Sequence, residues 1–387
     1  MKRLSLILLL SSLLSLLATA SGGQSGAQLA SSVPASRLAH LRRGINLSEW
    51  FAQVYDPKGY TKEHFQTWTT SADIALIKSA GFDHVRLSVN PQPMMEAGER
   101  RDGAAEYFGY LDAAVKMILD AGLAVELDMH PESGFKARLA KEDDAVERFA
   151  DFWRMVARHY SSWDPERLFF EILNEPEFQD PYRWYGVEAK LAAAIRQAAP
   201  AHTILAPGAH WDDDDDMIFL EPLRDPNVIY VFHFYEPHIF THQGATWGDY
   251  YWHWLKGLHY PSQAENAAQV ATLVPEALDR LYVIRYGQDH WDESRIEAEI
   301  NQAAQWATHN GVPLVCNEFG VYRNFSEPQD RARWITDVRT SFERHNIGWA
   351  MWDYSGDFGV AAKKDGKAAL DEVTVRALGL NMPVGQR

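Results

Sequence analysis

Cysteine is almost absent from this 387-residue sequence, in which Cys316 is the only one. An intrachain disulfide is therefore impossible, and the fold must rely on its core, for which 46% hydrophobic residues suffice. Basic residues are also scarce, with 37 Lys and Arg against 53 Asp and Glu and a net charge of −16. This charge argues against nucleic acids and anionic membranes as partners and favours an uncharged polymer.

The first twenty residues have the pattern of a secretory signal peptide. Lys2 and Arg3 precede an apolar run from Leu4 to Leu17, which is shorter than the ~20 residues that span a bilayer. Ala18-Thr19-Ala20 then forms a small-residue cleavage site. We therefore predict a signal peptide (1–20), a flexible leader (21–36) and one folded domain (37–387) in a secreted protein with no membrane attachment after cleavage. The alternative is an uncleaved N-terminal anchor.

Amphipathic helix patterns alternate with short apolar runs along the rest of the chain. Gly81, Gly122, Gly311 and Asn346 follow helix patterns, where a left-handed residue closes a helix. Strand patterns alternating with helices predict an α/β fold, a single-domain (β/α)8 TIM barrel. An open doubly wound sheet is the alternative, although no Gly-rich phosphate loop follows the first strand. The eight predicted strands are Arg43–Asn46, His84–Val89, Ala124–His130, Leu168–Asn174, Thr203–Ala206, Val228–Phe234, Pro313–Glu318 and Gly348–Trp352.

A long insertion follows the sixth strand, from about residue 237 to residue 292. It is rich in Trp and Tyr and includes one predicted helix, Ala264–Arg280. A loop of this length on the face where active sites form is usually functional or partly structured. Its aromatic rings predict either a cleft wall that stacks on sugars or a small core packed against the barrel.

Polar side chains stand where the predicted strands end. Such positions converge on one face of a barrel, which is where its active site lies. Two of them are glutamates at the ends of apolar runs, Glu175 in Asn174-Glu175-Pro176 and Glu318 in Asn317-Glu318-Phe319-Gly320. A pair of carboxylates at one site is typical of glycosidases. In chain order, the strand-end residues are Asn46, Arg86, His130, Asn174, Glu175, His210, Trp211, His233, Tyr235, Glu318 and Trp352.

This ordered set resembles glycoside hydrolase family 5 over roughly residues 40–360. The resemblance implies a retaining mechanism with Glu175 as the general acid and base and Glu318 as the nucleophile. It further implies that Arg86 and Tyr235 hold Glu318. Supporting or substrate-binding roles are implied for Asn174, His130, His233 and Trp352. Less specific candidates for substrate contact are His210, Trp211 and Trp50, for which structural roles are equally expected.

The resemblance implies a secreted endo-β-1,4-glucanase that needs no cofactor and acts on polysaccharide, as a monomer. Mannan, β-1,3-glucan or xyloglucan are alternative substrates within the family. A metal-dependent hydrolase using His130, His210 and His233 is a remote alternative, and a barrel that binds carbohydrate without cleaving it is another. The run Asp212 to Asp216 predicts a solvated loop before a helix rather than a calcium site.

Overall fold

The fold is taken from a computed structural model, which describes residues 31–98, 103–213, 215, 218–219, 221–364 and 366–383. Eight parallel strands pair in chain order, and β8 closes on β1, so the predicted (β/α)8 barrel is confirmed. The strands are β1 Arg43–Phe51, β2 His84–Val89, β3 Ala124–Met129, β4 Leu168–Glu171, β5 Ile204–Pro207, β6 Val228–Phe234, β7 Leu314–Phe319 and β8 Gly348–Met351.

Helices surround the barrel and cover the outer faces of its strands. Gly81, Gly122, Gly311 and Asn346 all have positive φ, which confirms the helix ends expected at these residues. The helices are α1 Ala35–Ala39, α2 Lys62–Thr67, α3 Ser71–Ala80, α4 Pro91–Gly98, α5 Gly103–Asp120, α6 Ser133–Lys141, α7 Asp143–Tyr160, α8 Pro181–Ala198, α9 His238–Thr241, α10 Ala264–Ala271, α11 Ala277–Gln288, α12 Glu293–Asn310, α13 Pro328–Arg344 and α14 Glu372–Ala377. A 3-10 helix spans Tyr250–Trp254, and a hairpin not expected from the sequence joins β9 Ala361–Lys364 to β10 Lys367–Leu370.

The barrel interior changes from apolar to charged along the strands. Its apolar end is a buried cluster of Leu41, Ala124, Phe169, Leu205, Ile229, Val231 and Val315. Residues two positions further along a strand point to the same side. Ala124 is thus followed by Glu126, Phe169 by Glu171 and Val231 by His233, all fully or almost fully buried. Charged groups therefore occupy the layer beneath the carboxyl ends of the strands.

The insertion contains two helices in place of the single predicted one. The first, α10, ends at Ala271, and α11 begins at Ala277. Pro275 lies between them, and a proline inside a helix removes a backbone donor and clashes with the preceding turn. The single helix predicted over Ala264–Arg280 is therefore wrong.

The C-terminal part of the predicted leader, residues 31–36, lies within the described structure and contacts the folded domain. The Ser32 N–H donates to the Pro226 carbonyl (2.7 Å), and α1 begins at Ala35, before the expected boundary at residue 37. The predicted signal peptide and residues 21–30 lie outside the described residues. Among the described helices, none combines the length and the apolar character that crossing a membrane requires.

Candidate active site

The two glutamates meet at the carboxyl-end face of the barrel. Glu175 follows β4 in a left-handed conformation (φ 46°), and Glu318 lies within β7. Both line a cleft of about 1370 Å³. One carboxylate oxygen of each, together with a His233 ring nitrogen, lies within 4.8 Å of the others. Two carboxyl groups this close match the separation used by retaining glycosidases rather than the wider gap of inverting ones.

Glu318 is held by a donor on each of its oxygens. The Arg86 guanidinium donates to Oε1, and the Tyr235 hydroxyl donates to Oε2 over 3.0 Å. Burial raises the pKa of Glu318, and the neighbouring Glu175 also raises it, while Arg86 and Tyr235 oppose this rise. Both donors favour the ionised form, which a nucleophile requires.

Arg86 is fully buried and joins most of the charged layer. It makes a two-pronged contact with Glu171, Nε to Oε2 at 2.6 Å and Nη2 to Oε1 at 2.7 Å. It also donates to Asn46 Oδ1 (3.0 Å) and Asn174 Oδ1 (2.8 Å). Such a forked contact fixes the orientation of the guanidinium as well as its charge. Arg86 is therefore a rigid support for Glu318.

Glu175 has different partners and is partly open to the cleft. His233 Nδ1 lies 3.2 Å from its Oε1, and Lys136 Nζ lies 3.9 Å from its Oε2. Burial raises the pKa of Glu175, but His233 and Lys136 outweigh this effect and hold it below its usual value. Because an imidazole can donate or accept a hydrogen bond, Glu175 can gain or lose a proton without losing this partner.

Apart from Arg86, the predicted supporting and substrate-binding residues gather around the cleft with one exception. Asn174, His130, His210, Trp211, His233, Tyr235 and Trp352 all line it. The His130 and Trp352 rings stack with centroids 5.7 Å apart, and His130 Nδ1 lies 2.8 Å from Asp128 Oδ2. Trp211 is half exposed, so its ring is available to a ligand.

Trp50 is the exception, and the expectation that it contacts substrate needs correction. Its side chain is 2% exposed, and its ring N–H donates to the Phe65 carbonyl (2.8 Å). The neighbouring Glu49 lines the cleft instead. Trp50 instead packs beside Phe51, with ring centroids 5.2 Å apart, so its ring belongs to the core.

Asp212 is a site residue that sequence reasoning missed. The aspartate run was predicted to be solvated, yet Asp212 is fully buried and accepts a hydrogen bond from the Glu175 N–H (2.9 Å). Asp214 and Asp216 lie outside the described residues. The position of Asp212 just beyond β5 could have predicted a role in the site, because residues at the carboxyl ends of barrel strands face the active site. The run of aspartates instead favoured an exposed loop, because a run of like charges usually lies in solvent.

Within the described residues, two groups of side chains bring metal-ligand atoms together, but in each group both oxygens of one glutamate are already engaged. They are Glu171, Asp212 and His233, and Glu175, His233 and Glu318. Both oxygens of Glu171 accept from Arg86, and those of Glu318 accept from Arg86 and Tyr235. His130 and His210 belong to neither group. The arrangement therefore fits proton transfer and nucleophilic attack better than metal binding.

The aromatic residues of the insertion divide between a core and the cleft. Tyr260 is buried away from the cleft, whereas Trp247 and Tyr282 are about half exposed and line the cleft. The Tyr251 and Tyr282 rings stack with centroids 5.8 Å apart. Some rings of the insertion therefore form a core and others line the cleft, while stacking on sugars stays a prediction.

Comparison with known proteins points to one family. The family model for cellulase (glycosyl hydrolase family 5) matches residues 48–358. Endoglucanase C of Acetivibrio thermocellus is 28% identical over 327 residues, which cover 82% of this chain and 92% of the relative. Endoglucanase 3 of Fibrobacter succinogenes is 28% identical over 84% of this chain and 51% of its own length. The crystal structure of endoglucanase Cel5A from Thermotoga maritima is 25% identical, with a TM-score of 0.70 over 88% of this chain and 98% of that one.

Proposed function

Because the chain belongs to glycoside hydrolase family 5, we propose that it cleaves internal β-1,4 bonds of a glucan in two steps with retention of configuration. The chain is a glycoside hydrolase, and its curated relatives include endoglucanases. The observation that carries the proposal is the pair of carboxyl groups within 4.8 Å, each with a different set of partners.

In the first step, Glu318 attacks the anomeric carbon while Glu175 protonates the leaving oxygen. A covalent glycosyl-enzyme forms on Glu318, and Glu175 is left as a carboxylate. Arg86 and Tyr235 keep the attacking carboxylate oriented, since they hold both of its oxygens. In the second step, Glu175 removes a proton from water, which attacks the same carbon and releases Glu318.

The remaining cleft residues support binding of the sugar chain. Trp352, stacked on His130, offers a flat apolar face to a sugar ring. Asn174 also lines the cleft and accepts from Arg86, the guanidinium that holds Glu318. The predicted signal peptide supports secretion of the enzyme, which we propose to act as a monomer on soluble or amorphous polysaccharide.

The product profile on uncharged polysaccharides tests this proposal. We expect a rapid loss of viscosity of hydroxyethylcellulose, with few new reducing ends, because internal cuts shorten chains most. Activity should be lower on mannan and on laminarin. Faster cleavage of mannan or laminarin than of hydroxyethylcellulose would contradict the substrate, and release of a single short sugar without loss of viscosity would contradict internal cutting.

A further inference from the structure

Asp212 lies in an unusual stretch of backbone just beyond β5. His210, Trp211 and Asp212 have successive φ values of 46°, 60° and 62°, a left-handed conformation that side-chain-bearing residues rarely adopt. Three such residues in a row persist only where the surroundings impose them. The Trp211 N–H donates to the Pro176 carbonyl (3.1 Å), and the His233 N–H donates to the Asp212 carbonyl (2.9 Å). This stretch fixes the Asp212 carboxyl group beneath Glu175.

The His233 ring lies between two carboxyl groups. Its Nδ1 is 3.2 Å from Glu175 Oε1, and its Nε2 is 3.4 Å from Asp212 Oδ2. The same Asp212 oxygen accepts the Glu175 N–H. Within the described part of the chain, His233 Nε2 and Asp212 Oδ1 have no hydrogen-bond partner. The ring and both carboxyl groups therefore form a line along which protons can move. The two contacts of the ring are long, but catalytic contacts of this kind often tighten when substrate binds.

We propose that Asp212 is a positioning residue that holds the proton which Glu175 later gives to the leaving oxygen, with His233 as the relay; the inference rests on the proposed function. In the resting site, Asp212 is a carboxylic acid, His233 carries its proton on Nδ1 and Glu175 is a carboxylate. The Asp212 O–H bond breaks as an Nε2–H bond forms, and the Nδ1–H bond breaks as a Glu175 O–H bond forms. His233 stays neutral, and the negative charge moves from Glu175 to Asp212.

The charged groups around the line fit this resting state. Burial and the neighbouring Glu171 raise the pKa of Asp212 well above its usual value, although Arg86 opposes them. Burial lowers the pKa of His233 even though Glu175 raises it, which favours the neutral ring.

Other charges face the two ends of the line. Lys136 and His130 act on Glu175 and favour its carboxylate form in the open cleft. Glu318 Oε2 lies 3.5 Å from His233 Nδ1, so the ring also faces the nucleophile. A glutamate held as a carboxylate needs a nearby proton before it can act as an acid, and Asp212 is placed to supply one.

The substitution Asp212→Asn separates this role from a structural one. Asparagine keeps an oxygen that accepts the Glu175 N–H but cannot release a carboxyl proton. On hydroxyethylcellulose, we expect kcat/KM at neutral pH to fall about tenfold or more, since acid catalysis contributes about 10²–10⁴. The alkaline limb of the pH profile should move to lower pH by about one unit, because asparagine at this position has no carboxyl proton to pass to Glu175. With dinitrophenyl cellobioside, whose leaving group needs no acid, the loss should stay below about threefold.

The control is Asp215→Asn, which removes an exposed carboxylate from the same run of aspartates. This variant should leave kcat/KM on both substrates and the pH profile unchanged. His233→Gln provides a second test if Asp212→Asn folds poorly, because it breaks the relay from the other side. It should give the same selective loss, and the double variant should be no worse than the worse single one, as expected for residues that act as a unit.

Equal loss on both substrates with an unchanged pH profile would overturn the relay and leave Asp212 as a backbone anchor. A loss in the double variant equal to the product of the two single losses would overturn the relay as well. Failure of the wild type to cleave any β-glucan would instead contradict the proposed function, so the two failures are distinguishable.

Discussion

At the scale of single residues, Arg86 links the charged layer of the barrel interior to the position of Glu318. It is fully buried among the carboxylates of Glu171, Asp128 and Glu318. A buried charge is costly unless it is paired and hydrogen-bonded, and Arg86 has a partner at each guanidinium nitrogen. The apolar layer that normally fills a barrel is here replaced at one end by this network, which makes the position of Glu318 rigid.

His202 shows how one residue away from the site sets the response of the protein to acid. It is fully buried, stacks on Phe170 with centroids 4.8 Å apart, and neither ring nitrogen has a hydrogen-bond partner in the described structure. Burial, with the nearby charges of Arg37 and Arg196, lowers its pKa from 6.5 to about 4. The folded state thus favours the neutral form of His202. The resulting contribution to the free energy of unfolding is complete above pH 6.5 and is lost as the pH falls toward 4.

We expect His202→Phe to weaken the loss of stability in acid. Phenylalanine keeps the ring stack and cannot be protonated, so the variant should retain on the order of 3 kcal/mol that the wild type loses between pH 7 and pH 4. Chemical denaturation at both pH values measures this difference. His309→Asn, an exposed histidine change on α12, is the control. Equal pH dependence in His202→Phe and the wild type would contradict the assignment.

At the scale of elements, the sequence predicted the strands better than the loops. The bounds of β2 and β6 agree with the prediction residue for residue, because alternating helices and apolar runs leave little choice of register. The strands β2, β4 and β7 bring Arg86, Glu175 and Glu318 together at one face of the barrel. Loop conformation depends on contacts between distant segments, which is why the burial of Asp212 was not foreseen. Trp50 was misjudged for another reason, because β1 continues to Phe51, beyond its predicted end at Asn46.

The insertion supplies the element-scale prediction, through Trp247. Its ring is 48% exposed, lines the cleft and packs edge-on against Tyr322 with centroids 5.2 Å apart. Truncation to Ala should raise KM for hydroxyethylcellulose roughly fivefold, equivalent to about 1 kcal/mol of lost stacking, with little change in kcat. Trp254→Ala is the matched control, since Trp254 is similarly exposed in the same insertion but does not line the cleft. The same increase in both variants would argue for a general effect on the insertion.

At the scale of the whole molecule, charge selects the class of substrate. The described cleft lining carries eleven carboxylate side chains against two lysine or arginine side chains, Lys136 and Arg285. Burial raises the pKa of Glu49 to about 7 and that of Asp353 to about 6, which reduces the repulsion at one end of the cleft. With a net charge of −16, we expect the molecule to repel polyanions and to favour a neutral glycan. The sequence predicted this preference from composition, whereas the distribution of charge within the cleft required the fold.

The division of roles between Glu175 and Glu318 is the central claim. The most direct test compares kcat/KM of Glu175→Ala and Glu318→Ala on hydroxyethylcellulose and on dinitrophenyl cellobioside, with the exposed Glu265→Ala as a control. On the polysaccharide, each site variant should lose about a thousandfold or more. On the activated glycoside, Glu175→Ala should remain within about tenfold of the wild type, because a good leaving group needs no acid, while Glu318→Ala should stay about a thousandfold lower. Equal loss in the two variants on the activated glycoside would contradict the assignment.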